Sequence, residues 1–111
     1  MDEQGEDLVG DWILNANTIW ASRRVSEMSR TDPAAALEVI RDIQRRNPPP
    51  RVLANLAAGP LEDLLVYKGP EIIDQIEILA QEDPAFRRLL GGVWRNQIHG
   101  DVWNRVQALI V

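Results

Sequence analysis

Four proline-bearing dipeptides, Asp32-Pro33, Gly59-Pro60, Gly69-Pro70 and Asp83-Pro84, and the run Pro48-Pro49-Pro50 constrain this chain more than any other feature. Proline has no N–H, and its ring crowds the carbonyl four residues back. It therefore opens a helix well and continues one badly. Between these marks the apolar residues recur at spacings of three and four, the period of one helix face. Leu8, Val9, Trp12, Ile13, Ala16, Ile19 and Trp20 predict a first helix over residues 7–28. Ala36, Leu37, Ile40 and Ile43 predict a second, with Asp32 as N-cap and Pro33 at the first helical position. It stops at Asn47, before the prolines.

The second half is cut more finely. Val52, Leu53, Leu56 and Ala57 predict a short helix with Gly59 as its C-terminal cap. Pro60 is expected to open the next, carrying Leu61, Leu64 and Leu65 and closed by Gly69. Pro70 is expected to open another, with Ile72, Ile73, Ile76, Leu79 and Ala80 inward. Asp83 caps a helix whose face carries Phe86, Leu89, Leu90, Val93 and Trp94, with Gly91-Gly92 kinking or ending it. Asp101 is expected to cap the last helix, with Val102, Trp103, Val106, Leu109 and Ile110 inward. No strand is predicted. The expected fold is all-α: a compact irregular bundle of six to seven short helices with helical-hairpin-like connections. Residues 1–111 form one domain in this reading, with residues 1–6 frayed and residues 47–51 a proline-rich turn between halves.

Composition removes whole classes of chemistry. The 111 residues include no cysteine and one histidine. That excludes a disulfide scaffold, a thiolate nucleophile and cysteine- or histidine-rich metal sites. Neither a G-x-S-x-G elbow nor a glycine-rich phosphate loop is present. No apolar run reaches the roughly 18–20 residues that cross a bilayer. The first eleven residues carry five acids and no base, unlike a targeting peptide. The expectation is a cytoplasmic protein with no membrane association, no cofactor, no metal and no assigned catalytic residue.

The formal net charge of -5 conceals an alternation. Residues 1–22 and 52–86 are acidic. Residues 23–51 hold seven arginines against four acids, and residues 87–111 hold four arginines against one. Such blocks either pair with one another across the fold or form a polarised surface that steers a partner. Glu71, Asp74 and Glu77 repeat at i, i+3 and i+6, an acidic stripe suited to a basic partner. Trp94, Arg95 and Trp103 belong to the residue types that dominate interface hot spots, though Trp94 and Trp103 also continue apolar helix stripes. The apolar end Ala108-Leu109-Ile110-Val111 must be packed, or must cover a partner or a second copy.

The segments Leu56–Leu65 (LAAGPLEDLL), Ile72–Glu77 (IIDQIE), Asp83–Trp94 (DPAFRRLLGGVW) and Val102–Val106 (VWNRV) resemble a bacterial family of short helical proteins whose domain has no assigned function. The resemblance spans residues 52–108. It implies a small helical domain of bacterial or phage origin and transfers no site roles.

The functional expectation is a non-enzymatic protein-interaction module, of the inhibitor or immunity type, that occludes a basic partner surface. Glu71, Asp74, Glu77, Trp94, Arg95 and Trp103 are its candidate contacts, and a homodimer is compatible with it. Two alternatives stand beside it. One is a nucleic-acid-binding regulator using the arginines of residues 23–51, disfavoured by the acidic net charge and by interleaved Glu27, Asp32, Glu38 and Asp42. The other is an enzyme using Glu62 or Asp63 with His99 or Tyr67. For that pair the competing reading is two first-turn acids that complement a helix dipole.

Overall fold

A computed structural model describes residues 7–14 and 18–110. These residues form seven α-helices and no strand: α1 (Leu8–Leu14), α2 (Thr18–Thr31), α3 (Pro33–Arg45), α4 (Pro50–Leu56), α5 (Glu62–Glu82), α6 (Pro84–Leu90) and α7 (Gly100–Ile110). The expected all-α bundle is what the chain adopts. The expected fraying of residues 1–6 lies outside the described residues.

Helix α5 is the axis of the bundle, packed against α2, α3, α6 and α7. Its buried Leu64, Leu65, Ile72, Ile73, Ile76 and Ala80 meet Ala36, Leu37, Ile40 and Ile43 of α3, Phe86, Leu89 and Leu90 of α6, and Val102 and Val106 of α7 in one core. The two Asp-Pro signals act as expected. Asp32 Oδ1 accepts from the Ala35 N–H at 3.2 Å, and Asp83 Oδ1 accepts from the Ala85 N–H at 2.9 Å. Of the apolar C-terminal residues, Leu109 and Ile110 are half-buried against the core and Ala108 is exposed; Val111 lies outside the described residues.

The two Gly-Pro signals act differently from each other. Gly59-Pro60 does not divide the chain into separate helices. Residues Ala57–Leu61 form a π-helical segment that joins α4 to α5 without a break. Glu62 N–H reaches back five residues to the Ala57 carbonyl. The wider turn accommodates the proline ring and the hydrogen bond that Pro60 cannot donate. Gly59 therefore caps nothing, and its φ is not in the left-handed region. At Gly69-Pro70 α5 consists, as expected, of two helical arms, which meet at a kink where Lys68 takes a non-helical conformation (φ -133°, ψ 21°). Glycine at 69 serves packing: a Cβ there would lie 3.0 Å from a methyl of Val102, so α7 crosses α5 at close range.

Two further expectations are corrected. The single helix over residues 7–28 is two helices packed together, α1 and α2. Trp20 Nε1 donates to Asp11 Oδ2 at 2.7 Å. Nine residues along one straight helix would separate them by about 13.5 Å. Helix α7 is capped by His99 rather than Asp101: His99 Nδ1 accepts from the Asp101 N–H at 3.3 Å, and the His99 carbonyl from the Trp103 N–H at 2.9 Å.

Candidate functional site

Residues 91–99 connect α6 to α7 and carry the most exposed large hydrophobic side chain among the described residues. Gly91-Gly92 ends α6 at Leu90 instead of letting the apolar stripe continue. The Gly92 N–H bonds to the Leu89 carbonyl and the Val93 N–H to the Leu90 carbonyl, both at 3.0 Å, which tightens the last turn. That early stop rotates Trp94 off the core face, so it is 74% exposed. Its neighbours are not loose. Val93 and Ile98 are buried on either side of it. The Ile98 N–H bonds to the Arg95 carbonyl at 2.8 Å, and Asn96 at the bend takes a positive φ of 42°, a conformation asparagine tolerates.

Glu62 fastens this loop to α5. The carboxylate, 9% exposed, accepts from Asn96 Nδ2 at 2.7 Å and from the Trp94 backbone N–H at 3.4 Å. The first-turn reading of Glu62 and Asp63 fails here, because the helix runs on through the π segment and the Glu62 N–H is already bonded to Ala57 and Gly59 carbonyls. Nothing in sequence locality announces the link, since its partners lie 32 and 34 residues away. Arg95 is exposed beside Trp94.

The remaining candidates are placed as follows. Trp103 is half-buried against the core. Glu71 pairs with Lys68 at 3.5 Å. Asp74 and Glu77 both pair with Arg105 of α7, whose Nε donates to Glu77 Oε2 at 2.9 Å. Arg105 hydrogen bonding holds the Glu77 carboxyl below its ordinary range, and the two carboxylates raise the arginine in turn. Asp74 and Glu77 thus clamp α7 onto α5, while Glu71 pairs within its own helix.

Much of the arginine-rich block is likewise engaged within the chain. Arg24 pairs with Glu27, Arg45 with Asp42, Arg46 with Asp7 and Arg41 with Asp83. Arg30 stacks over the Tyr67 ring, 4.5 Å from its centroid, and donates to its hydroxyl at 3.2 Å. Glu62, Tyr67 and His99 therefore each serve a separate contact, and no hydrogen bond joins them among the described residues.

Asp63 is the one member of that set with an unspent charge. It borders a groove with Trp12, Asn55 and Pro60. Burial pushes its carboxyl up, neighbouring Glu62 adds to this, and Arg30 opposes it. A raised folded-state pKa means that the stability from Asp63 is greatest in acid and diminishes as pH rises through that value. Asp63→Asn is therefore expected to raise Tm by a few degrees at pH 7 and to leave it unchanged at pH 3. Equal Tm values for the two proteins at both pH values would contradict the burial argument.

A family model described as a family of unknown function (DUF6869) matches residues 11–111. No curated protein matches the chain, and no solved structure does.

Proposed function

For a chain that belongs to a family of unknown function (DUF6869), we propose a protein-interaction module that acts by binding, with the Trp94–Arg95 loop as its contact centre. The observation that supports this reading is an indole 74% exposed on a loop pinned by Val93, Ile98 and buried Glu62. Tryptophan and arginine are the residues on which interface energy concentrates. A loop already held in one shape loses little freedom on binding, so more of the contact energy appears as affinity.

Charge indicates the kind of partner. Arg87, Arg88 and Arg95 are exposed and make no ion pair among the described residues. An acidic partner surface with an apolar pocket for the indole fits them. The leading expectation from the sequence, that Glu71, Asp74 and Glu77 meet a basic partner, has less support, because these carboxylates already hold Lys68 and Arg105. We place the module in the cytoplasm. No helix among the described residues is long and apolar enough to cross a membrane.

The test is quantitative. A partner captured by the full chain is titrated calorimetrically against wild type, Trp94→Ala and Arg95→Ala. Trp94→Ala is expected to weaken binding on the order of 30-fold, the effect of a hot spot of about 2 kcal/mol, with Tm unchanged. Unaltered affinity in both variants would remove the loop from the interface. Nucleic acid is the competing ligand for an indole flanked by arginines, and a steep loss of single-stranded oligonucleotide binding with added salt would favour it instead.

A further inference from the structure

The fold sends the adjacent carboxylates Glu62 and Asp63 to different surroundings. Glu62 holds the Trp94 loop. Asp63 borders a groove of about 300 Å³ between α1, α2 and the π-helical junction of α4 with α5. Buried Val25 and Pro60 and half-buried Trp12 give the groove its apolar surface, and half-buried Ser26 adds a hydroxyl. The π segment leaves room beside them: a Cβ on Gly59, which also lines the groove, would meet nothing within 4 Å.

Asp63 itself is half-buried and uncompensated. It accepts no hydrogen bond that would favour its charged form, and it makes no ion pair among the described residues. Its oxygens are still within reach of a ligand. Among the described residues, the side-chain atoms that are both sealed from solvent and unpaired are Arg41 Nε and Gln44 Oε1, so the unpaired Asp63 oxygens keep surface open to the groove. Burial and neighbouring Glu62 both disfavour the carboxylate. Arg30 opposes them from a distance, with its guanidinium engaged over the Tyr67 ring. A cation brought into the groove relieves this imbalance.

The surroundings select the kind of cation. A hard divalent ion takes about six or more oxygen ligands, and no three acidic or histidine side chains converge on a metal position among the described residues. An ammonium ion is satisfied by one carboxylate and neutral acceptors such as the Ser26 hydroxyl. Its carbon chain gains from apolar walls, and an indole face attracts the charge.

We infer that this groove binds a primary ammonium ion carried on a short aliphatic chain. The ammonium meets Asp63 and Ser26, and the chain lies along Trp12, Val25 and Pro60. The volume stands at the lower end of small-molecule sites, which fits a chain of a few carbons. A free alkylamine and a lysine side chain share this chemistry. The inference goes beyond the interaction reading and does not rest on it, because neither Trp94 nor Arg95 lines the groove.

Pentylammonium and 1-pentanol make the decisive pair of probes, alike in chain and different in charge. Titrations of the isotope-labelled full chain, followed by amide chemical shifts, are expected to move the Val25, Ser26 and Asp63 signals with pentylammonium. Pentanol is expected to bind about tenfold more weakly. Asp63→Asn keeps the shape and removes the charge, so it should weaken pentylammonium about tenfold and leave pentanol unaltered. Pentylammonium should also raise the Tm of wild type and not that of Asp63→Asn. Nα-acetyl-lysine amide separates the sources: tighter binding than pentylammonium assigns the groove to a lysine side chain, weaker binding to a free amine. Equal affinity for the two pentyl probes overturns the inference. Undiminished pentylammonium binding by Asp63→Asn, or shifts that sodium chloride reproduces at the same ionic strength, overturn it as well. Trp94→Ala is expected to leave pentylammonium affinity intact, so failure here and failure of the interaction reading are separable.

Discussion

Replacing Phe86 with alanine is expected to remove about 3–5 kcal/mol of folding stability. Phe86 is the chain's one phenylalanine and is fully buried. It stands on α6, a helix of seven residues, too short to persist in water without packing. What holds α6 in place is contact with α5, α7, α4 and the π segment, and Phe86 is the largest side chain it contributes. Truncation loses the transfer free energy of the ring and leaves a cavity that helices on four sides cannot collapse to fill. Against a total of about 5–15 kcal/mol for a domain, that loss is a large share. Urea unfolding should show the midpoint falling with little change in slope. Phe86→Leu, which keeps most of the volume, should cost about half as much or less. A loss below about 1 kcal/mol for the alanine variant would mean that α6 is not docked as described.

The parts of this architecture that the sequence displays are those set by neighbours in the chain. Asp32-Pro33 and Asp83-Pro84 work as caps because the carboxylate bonds an N–H two or three residues on. The burial of Ala36, Leu37, Ile40 and Ile43 follows from their 3.6-residue spacing. Gly59-Pro60 misleads because proline removes one hydrogen bond, not the helix, and a π turn at Ala57–Leu61 absorbs the loss. Gly69-Pro70 marks a real junction, the kink at Lys68 between the two arms of α5. Extending the apolar stripe past Leu90 puts Trp94 on the core face, but the glycine pair ends that helix first. The Arg105 clamp and the Glu62 link have no local signature at all, since their partners lie about thirty residues away in the chain. Gln44 does carry a local signal: four residues after Ile40 on the same stripe, it is a polar side chain at a core position, and such a residue needs a partner inside the fold.

That partner is Asp83, and Asp83→Ala is expected to cost about 2–4 kcal/mol, more than a helix cap alone. The cap accounts for about 1 kcal/mol of this. The remainder comes from Gln44, whose amide keeps Asp83 as its only hydrogen-bond partner among the described residues. Without the carboxylate, both ends of a buried amide are unpaired, at about 1–3 kcal/mol for each unmet group. Burial alone would push the Asp83 carboxyl up. The Gln44 amide, the N–H groups of Ala85 and Phe86 and the Arg41 guanidinium outweigh it and hold the carboxyl below its ordinary range. A lowered folded-state pKa means that this stability is complete above the unfolded carboxyl value near pH 4 and is lost as pH falls through the folded value. The alanine variant should accordingly lose less stability than wild type between pH 5 and pH 2. The double variant Gln44→Leu/Asp83→Ala separates the two contributions. If the unpaired amide causes most of the loss, leucine on the alanine background restores about 1–2 kcal/mol, because an apolar side chain of similar length leaves nothing unmet. If leucine restores nothing, the cost belongs to the cap and Gln44 is satisfied by another route.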